Sequence, residues 1–283
     1  MSDFDYASQA TRHVQRCNLC GEMGLPIAIP ERFGFAAGTL ACYGCGLVWL
    51  SPQMSADSYA KFYADGTYRR LVHERVKDST PEKMEVSQRV YTEIVTNFLT
   101  PYRACLKGKS LIDIGGSTGI VAASVASEYE MSPTVLEPSI AEGEQARDRG
   151  CEWIQGTLET IGKDQKFDAA FVCQTVEHLM DISGGLENIA SLLNPGGILL
   201  IDIVDCSHQW QTFRPQVKID HLWYLTPHTM RAYLMRAGFV SIHEGDIASK
   251  RHVVFLCTLG ERYAFVPDGV MVRQFLRLAR GGI

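Results

Sequence analysis

Long hydrophobic runs and an excess of positive charge are both missing from this sequence of 283 residues. The longest apolar candidate, residues 197–201, is far shorter than the roughly 20 residues that a membrane-spanning helix needs. The N-terminal residues carry no basic start followed by an apolar segment, so we expect no secretory signal. Lys and Arg number 27 against 32 Asp and Glu, and the formal charge of -5 gives no field that would attract a polyanion. We therefore expect a cytoplasmic protein that has neither a membrane nor a nucleic acid as a partner.

Glycine and proline, at 25 and 11 residues, are too few for a collagen-like repeat. Hydrophobic residues make up 46% of the chain and charged residues 21%, which disfavours long disordered segments. The composition is typical of a folded globular protein, and the length suits two domains or one large one.

Nine cysteines need an explanation, because a reducing compartment makes disulfides rare. Four of them form two Cys-x-x-Cys-Gly pairs that lie 21 residues apart, at Cys17, Cys20, Cys42 and Cys45. A two-residue gap lets both thiolates of a pair bind one ion, and the glycine frees backbone amides to turn towards the sulfurs. The pattern predicts a zinc-ribbon-like module with a structural zinc, since four protein ligands leave no position open for a catalytic water. An iron–sulfur cluster is the alternative, because thiolates alone do not select the metal.

Short apolar runs alternate with helical segments from residue 110 onward. We predict strands over 110–114, 134–136, 152–155, 167–173, 198–204, 240–245 and 252–259. We predict helices over about 119–130, 139–149, 183–193 and 226–237, and a longer one over 81–106 that begins at Pro81. This alternation is typical of a doubly wound, mostly parallel α/β sheet. No helix separates the last two runs, so we expect the final strand to insert antiparallel.

The same pattern divides the chain into four segments. They are a zinc module at 1–53, a helical and aromatic cover at 54–107, a seven-stranded Rossmann-like domain at 108–262 and a C-terminal helix at 263–283. The third segment has the ordinary size of a ligand-binding domain.

A glycine-rich turn stands between the first strand of that domain and the next helix, in Leu111-Ile-Asp-Ile-Gly-Gly-Ser-Thr-Gly119. This places it at the carboxyl edge of the sheet, where ligands bind in such folds. Its spacing matches neither the GxGxxG of dinucleotide binders nor the ending of a phosphate-binding loop. The turn therefore indicates a ligand smaller than a dinucleotide.

With these residues the sequence resembles the class I S-adenosylmethionine-dependent methyltransferases over residues 108–260. The first motif of that family corresponds to Asp113, Gly115, Gly116 and Gly119. The resemblance implies that Glu137 binds the ribose hydroxyls of S-adenosylmethionine, and a carboxylate can accept from both of them. It also implies cofactor contacts for Pro138, Leu158, Glu159 and Gln174.

A narrower resemblance covers most of the chain. The four-cysteine module, the aromatic FYADGTY segment at 62–68 and the His-x-x-Tyr element at His221 and Tyr224 are together similar to bacterial methyltransferases of sugars, nucleotide-linked sugars, polysaccharides and natural products. Some of these are C-methyltransferases of nucleotide-linked ketosugars, in which a Glu-His pair precedes the tyrosine and the histidine is the base. Here Asp220 replaces that Glu, and the chain ends at Ile283 without their further C-terminal domain. The resemblance therefore favours O-methylation of a sugar hydroxyl, with C-methylation of a ketosugar as the alternative.

The resemblance and acid–base chemistry together assign roles to two histidines. Histidine can take a proton near neutral pH, and a carboxylate can orient the imidazole and support its charged form. We therefore predict His221 as the general base, oriented by Asp220, and His178 as a second candidate or an acceptor contact. The predicted contacts to the sugar acceptor are Tyr63, Tyr68, Tyr224 and Arg214.

Other charged and titratable residues carry weaker signals. Cations that either bind the phosphates of a nucleotide-linked sugar or form a solvated face are Arg69, Arg70, Arg75, Lys77 and Lys218. Histidines that belong to no motif, and that we expect at the surface or in packing, are His208, His228, His243 and His252. Nothing in the sequence indicates an oligomer.

Two other functions also fit parts of the sequence. An RNA methyltransferase would use the zinc module to bind RNA, but the charge of -5 and the sequence QTVEHL at 174–179 are unlike enzymes that act on flipped bases. A non-catalytic zinc-ribbon interaction protein is the other rival. The intact glycine turn and Glu137 disfavour it.

Elemental analysis tests the metal prediction. We expect about one zinc per chain, and loss of the metal in Cys42→Ser because a tetrahedral site then lacks one of its four ligands. Cys105→Ser is the control that keeps its metal, since we interpret the scattered cysteines as packing residues: Cys105, Cys151, Cys173, Cys206 and Cys257. Metal retained in Cys42→Ser would contradict the module.

Overall fold

The computed structural model describes residues 4–75, 81–162, 164–212, 215–247, 252–263, 272–273, 275–277 and 280. Two cations predicted near the acceptor, Arg214 and Lys77, lie outside this part of the chain. Most of the helix predicted over 263–283 also lies outside it, although Val272 and Leu276 are described and are buried.

The strands are, in chain order, β1 (Thr11–Arg12), β2 (Leu25–Ile27), β3 (Thr39–Ala41), β4 (Val48–Leu50), β5 (Gln53–Met54), β6 (Ser110–Ile114), β7 (Ser132–Glu137), β8 (Glu152–Gln155), β9 (Phe167–Val172), β10 (Leu193–Val204), β11 (Trp223–Tyr224), β12 (Phe239–Ile247) and β13 (His252–Leu259). The helices are α1 (Ala56–Ala64), α2 (Thr67–Arg75), α3 (Pro81–Leu99), α4 (Arg103–Leu106), α5 (Ile120–Tyr129), α6 (Ile140–Asp148), α7 (Ile182–Leu192), α8 (Cys206–Thr212) and α9 (Pro227–Ala237). Short 3-10 turns cover Thr100–Tyr102 and Val176–His178.

Two predicted bounds differ from the structure by more than two residues. The helix predicted over 81–106 is interrupted after Leu99, because Pro101 has no backbone N–H and restricts the residue before it. The strand predicted over 198–204 begins earlier, at Leu193, with an irregular register between Leu193 and Ile198.

The main sheet has seven strands in the spatial order β12-β13-β10-β9-β6-β7-β8. The five neighbouring strands β10, β9, β6, β7 and β8 are parallel to one another. Strand β13 is antiparallel to both β10 and β12. Strands β9 and β10 are buried along most of their length, which is why the sequence shows them as continuous apolar runs. The predicted α/β fold, mostly parallel with an antiparallel last strand, is confirmed.

Capped helices follow both segments that carry the predicted catalytic histidines. Asp181 caps α7, and its side chain accepts from the backbone N–H of Gly184 at 3.1 Å. Thr226 caps α9 through a capping box with Thr229, and Pro227 occupies the first turn. Each histidine segment thus runs directly into a fixed helix start.

A second sheet has four strands in the order β11-β4-β3-β2. Strands β2, β3 and β4 are antiparallel neighbours within the N-terminal segment. Strand β11 comes from a distant part of the chain and pairs antiparallel with β4, with Trp223 opposite Trp49 and Tyr224 opposite Val48. Residues inside the predicted 108–262 segment therefore complete the sheet of the predicted 1–53 module.

The two tryptophans of this pairing are buried against each other. The centroids of their rings are 6.4 Å apart. The indole N–H of Trp49 donates to the carbonyl of Val14, and that of Trp223 donates to the carbonyl of Leu179, both at 2.7 Å. Each indole thus buries a large apolar surface with its polar group paired.

Helices α1 and α2 form part of the aromatic cover. Tyr59 and Phe62 face inward on α1 and are buried, and the hydroxyl of Tyr59 donates to the carbonyl of Ile219 at 2.6 Å. The cover therefore contacts the segment that carries His221. Among the described helices, none combines the length and the apolar character that crossing a bilayer requires.

Candidate active site

The glycine-rich turn connects β6 with α5 at the carboxyl edge of the main sheet. Gly115 and Gly119 have φ angles of 68° and 74°, which residues with a Cβ rarely adopt. A Cβ at Gly116 would lie 2.8 Å from the carboxylate of Asp113, and one at Gly115 would lie 2.6 Å from the side chain of Thr175. The backbone of the turn thus approaches both side chains closely, and a larger residue at either position would separate them from it.

Asp113 is a buried carboxylate that lacks a matching donor. It is 1% exposed, and neither of its oxygens has a hydrogen-bond partner among the described residues. Burial, together with the charge of Glu137, raises the pKa of Asp113 to about 7. A carboxylate in this environment favours a bound cation.

Glu137 ends β7 on the other side of the turn. Its carboxylate accepts from the backbone N–H of Ser139 at 2.9 Å and from that of Ser117 at 3.1 Å. Burial, and then the charge of Glu142, raise the pKa of Glu137 to about 7. The predicted ribose-binding acid is therefore fixed beside the backbone of the glycine turn.

A cleft of about 440 Å³, partly open to solvent, lies between the turn and α3. Of the predicted cofactor residues, Asp113, Gly115, Gly116 and Gln174 line it. Helix α3 contributes Ser87, Gln88 and Tyr91, which sequence reasoning missed. Their spacing places them on one face of the helix. This polar face was the sequence signal for a ligand-facing helix, but the apolar positions alone were used to predict α3.

Arg69 on α2 closes over the glycine turn. Its guanidinium donates to the hydroxyl of Ser117 at 2.9 Å and to the carboxylate of Glu142 at 2.6 Å and 3.2 Å. Although burial opposes both charges, the pair raises the pKa of Arg69 and lowers that of Glu142. The neighbouring Arg70 instead donates to the carbonyl of Asp65, between α1 and α2. Arg69 therefore links the cover to the turn and is not part of a solvated face.

Five predicted cofactor residues lie beyond the lining of this cleft, and besides Gly119 and Glu137 they are Pro138, Leu158 and Glu159. Leu158 is buried, Glu159 is exposed and Pro138 follows β7 directly. Their contact with a cofactor stays a prediction.

The buried carboxylate of Asp202 holds the backbone of Gln174, which lines the cleft. Gln174 has a positive φ of 52°, and its backbone N–H donates to Asp202 at 2.5 Å. The second oxygen of Asp202 lies 3.0 Å from Nδ1 of His252. His252, which carries no sequence motif and was expected at the surface or in packing, is thus the partner of a fully buried carboxylate.

His178 and His221 lie side by side, with ring centroids 4.8 Å apart and ring planes at 81°. The hydroxyl of Tyr63 is 3.0 Å from Nδ1 of His178, and the ring of Tyr68 packs against the same imidazole. Thr175, which contacts the glycine turn, directly precedes the 3-10 turn that ends at His178. The structure therefore brings four predicted acceptor-site residues together, next to the predicted cofactor site.

The environment of His221 favours a neutral imidazole. Burial lowers the pKa of His221 well below 6.5, and the charges of Lys218 and His178 lower it further. An oxygen of Asp220 lies 3.6 Å from Nε2 of His221 and 3.6 Å from Nζ of Lys218. Asp220 is thus beside His221 at ion-pair distance, slightly longer than a hydrogen bond.

Glu177 adjoins the two histidines and is 4% exposed. Burial raises its pKa, and its Oε2 has no hydrogen-bond partner among the described residues. One ligand atom from each of Glu177, His178 and His221 lies within 4.8 Å of the others, so the three are a group that can bind a metal ion. The hydroxyl of Tyr63 already contacts one of the two nitrogens of His178.

Tyr224 and Tyr63 differ in the use of their hydroxyls. Tyr224 is 3% exposed, and its hydroxyl accepts from the backbone N–H of Lys218 at 2.6 Å and donates to the carbonyl of the same residue at 3.1 Å. These bonds close the loop around His221. Tyr63 is half-buried beside the histidines. Acceptor contact by either tyrosine stays a prediction.

The predicted metal-binding cysteines form one compact cluster. Their sulfurs lie within 4.8 Å of one another, with 3.4 Å between paired atoms of Cys17 and Cys45 and 3.4 Å between those of Cys20 and Cys42. Tetrahedral zinc with bonds of about 2.3 Å separates its sulfurs by about 3.8 Å, so the cluster fits a single ion. The backbone N–H groups of Gly21 and Gly46 close two equivalent turns around it.

Comparison with known proteins gives a family for this fold and site. The profile of a family described as a methyltransferase domain matches residues 83–244. The chain is 23% identical over 184 residues to a ubiquinone biosynthesis O-methyltransferase of Rhodopseudomonas palustris (strain BisB5), which covers 58% of this chain and 69% of that protein. It is also 23% identical over 214 residues to the O-methyltransferase resE of Aspergillus sclerotiorum. That match covers 71% of this chain and 79% of that protein.

Solved structures share the fold at low identity. The magnesium protoporphyrin IX methyltransferase ChlM from Synechocystis PCC 6803, with bound SAH, is 14% identical with a TM-score of 0.53, over 71% of this chain and 97% of that chain. The cyclase SpnF is 17% identical with a TM-score of 0.50, over 59% of this chain and 80% of that chain. At these identities the likeness concerns the fold alone.

The burial of Asp113 predicts a pH dependence of stability. Folding raises the pKa of this carboxyl to about 7, so the folded chain keeps a proton that the unfolded chain loses near pH 4. The free energy of unfolding therefore falls as pH rises from about 4 to about 7. Asp113→Asn removes this loss. Its free energy of unfolding relative to the parent should therefore increase by up to about 3 kcal/mol between pH 5 and pH 8, because stability is lost over the roughly two pH units from 5 to 7 at about 1.4 kcal/mol per unit.

Urea unfolding of the ligand-free protein at several pH values measures this difference. Asp168→Asn is the matched control, because hydrogen bonds from Ser110 and Asn194 lower the pKa of that carboxyl, which is therefore ionised in both states, and its relative stability should stay constant between pH 5 and pH 8. A relative stability of Asp113→Asn that does not change with pH would contradict the assignment.

Proposed function

We propose, from the premise that this chain belongs to the methyltransferase-domain family and is an S-adenosylmethionine-dependent methyltransferase, that it methylates a hydroxyl oxygen of a small molecule, a sugar or a nucleotide-linked sugar. The observation that carries the proposal is the pairing of His221 with His178 beside the glycine turn, in surroundings that favour the neutral form of His221.

The residues of the turn fit the cofactor. S-adenosylmethionine supplies a methyl group on a positively charged sulfur and carries a cationic amino group. Asp113 offers two unpaired, buried acceptor atoms, as a site for a cation requires. Glu137, held by two backbone amides, keeps its carboxylate beside the turn to accept from ribose hydroxyls.

His221 supplies the base for the acceptor. A sugar hydroxyl is a weak nucleophile until its proton can leave, and a neutral imidazole can accept that proton. As the new bond from the acceptor oxygen to the methyl carbon forms, the bond from that carbon to sulfur breaks, and the proton passes to His221. Asp220, 3.6 Å away, supports the imidazolium that results. Alignment and exclusion of water supply the rest of the rate.

The surroundings of the histidines support a hydroxylated acceptor. The rings of Tyr63 and Tyr68 flank His178, and such rings offer apolar faces with polar tips. Lys218 adds a cation at the edge of this region. The names of the curated relatives support oxygen as the methylated atom.

A phenolic acceptor is the second candidate. The observation that favours it is the similarity to ubiquinone biosynthesis O-methyltransferases. A phenol has a pKa of about 10 and gives up its proton more easily than a sugar hydroxyl, so the weakly basic His221 would suffice.

An acceptor panel with methyl-labelled S-adenosylmethionine tests the proposal. We expect label in free or nucleotide-linked sugars, and NMR of the product should show a methyl ether. Label in phenols instead would support the second candidate. A new carbon–methyl bond in a ketosugar would support C-methylation, and transfer to RNA alone would overturn both proposals.

Replacement of His221 tests the base. With the acceptor from the panel, His221→Ala should lower the single-turnover rate by about 100- to 10,000-fold, the usual contribution of a general base. Cofactor binding measured by calorimetry should remain. His13→Ala, at an exposed histidine in the N-terminal segment, is the control and should keep the parent rate. An unchanged rate in His221→Ala would remove this residue as base.

Replacement of Arg69 tests the link between cover and cofactor turn. Arg69→Ala should weaken binding of S-adenosylmethionine about 10-fold, because charge-assisted hydrogen bonds that hold the turn are lost and about 1.4 kcal/mol equals one factor of ten. Arg70→Ala, one residue away, removes bonds to Asp65 and Thr67, which are not part of the glycine turn, and should change affinity less than about twofold. Equal effects of the two variants in calorimetry would contradict the role given to Arg69.

A further inference from the structure

We infer that the four-cysteine module is the scaffold of the acceptor site, so that metal bound by the cysteines determines whether the two histidine segments are ordered. The inference rests on the proposed function in taking His178 and His221 as acceptor-site residues. Its structural part concerns the chain itself and can be tested without an acceptor.

The first connection runs from the cysteines to His221 through backbone pairing. The turn between Cys42 and Cys45 joins β3 to β4, and β4 pairs with β11, which lies two residues after His221. The backbone N–H of Leu50 donates to the carbonyl of Leu222 at 3.0 Å. The position of the histidine segment at this end is therefore set by the strand that follows the second cysteine pair.

The same segment is also held by the module at its other end. The backbone N–H of Val217 donates to the carbonyl of Pro30 at 3.0 Å, and the N–H of Arg32 donates to the carbonyl of Val217 at 2.8 Å. His221 thus lies in a span of chain with both ends hydrogen-bonded to the N-terminal module. Val217 is fully buried, and buried backbone groups cannot remain unpaired without cost, so we expect the span to lose its shape without the module.

The second connection runs from the cysteines to His178 through Asn18. This residue lies between Cys17 and Cys20, and its amide donates to the carboxylate of Asp181 at 2.7 Å. Its side-chain oxygen accepts from the backbone N–H of Ser183 at 3.1 Å. Since Asp181 caps α7 and follows His178 by three residues, the first cysteine turn is fixed to the end of the second histidine segment.

The two histidine segments are also bonded to each other. The backbone N–H of Leu222 donates to the carbonyl of Glu177 at 2.9 Å, and the indole of Trp223 donates to the carbonyl of Leu179. Disorder in one segment therefore removes partners of the other.

The glycine turn depends on a different set of contacts. Its bonds run to the carbonyl of Leu136, to Glu137 and to Arg69. These partners belong to the main sheet and the cover. Loss of the metal should therefore remove the acceptor site and leave the cofactor site in place, because small metal modules lose their fold with their ion.

Hydrogen exchange of the full-length protein tests the inference. It is measured with and without a chelator strong enough to remove zinc from four cysteine ligands. Exchange should accelerate at least about tenfold in residues 11–54, 176–184 and 215–225, and stay unchanged in 110–137. The affinity for S-adenosylmethionine should change less than about threefold. Protection of 176–184 and 215–225 that survives metal loss would overturn the inference.

Asn18→Ala provides a second arm in case the metal-free chain unfolds. It should keep its zinc, accelerate exchange in 176–184 and leave 11–54 protected. Arg16→Ala is the matched control, because Arg16 donates only to the carbonyl of Gly21 within the same cysteine turn, and 176–184 should stay protected. Equal exchange in the two variants would overturn the connection through Asn18.

The outcomes separate this inference from the proposed function. If metal loss disorders both segments but His221→Ala retains methyl transfer, the scaffold is correct and the catalytic assignment is wrong. If His221→Ala loses transfer while both segments stay protected without metal, the catalytic assignment holds and the scaffold inference fails.

Discussion

The pairing of β11 with β4 is the interaction on which the acceptor side of this protein depends. A strand of two residues has no stability of its own, and β11 obtains its hydrogen bonds from the N-terminal sheet. The loop with His221 consequently takes its position from a part of the chain distant in sequence, while the glycine turn takes its position from the main sheet. The candidate active site lies where these two frameworks meet, at Thr175 and His178.

Three buried acids near the carboxyl edge of the sheet illustrate how this site is prepared. Asp202 contacts His252, and Glu137 accepts from two backbone amides, so each has partners. Asp113 has none among the described residues, and burial raises its pKa to about 7. Such a residue lowers the stability of the ligand-free protein and gains most from a cation, which is the usual relation between stability and function at a binding site.

The main sheet could be predicted because its signals are local. Ser110–Ile114 and His252–Leu259 are mostly apolar runs, and the glycine spacing after Ile114 predicted the turn between strand and helix. The cysteine pairs predicted a cluster for the same reason. The remaining features depend on contacts between distant residues. Nothing near Trp223 indicates that it pairs with Trp49, and nothing near Asn18 or Arg69 indicates the helix or turn that each contacts. Side-chain pairing across the fold is decided by tertiary packing, which periodicity does not report.

The register of β4 has a consequence for how such chains can diversify. Val48, Trp49 and Leu50 are all fully buried, and a shift of one residue in a strand turns every side chain to the opposite face. The spacing between Cys45 and Trp49 is therefore as restricted as the spacing within each cysteine pair. Recombination between relatives that exchanged the N-terminal module without residues 215–225 would join surfaces shaped for different partners. These two segments, although far apart in the chain, must be inherited together.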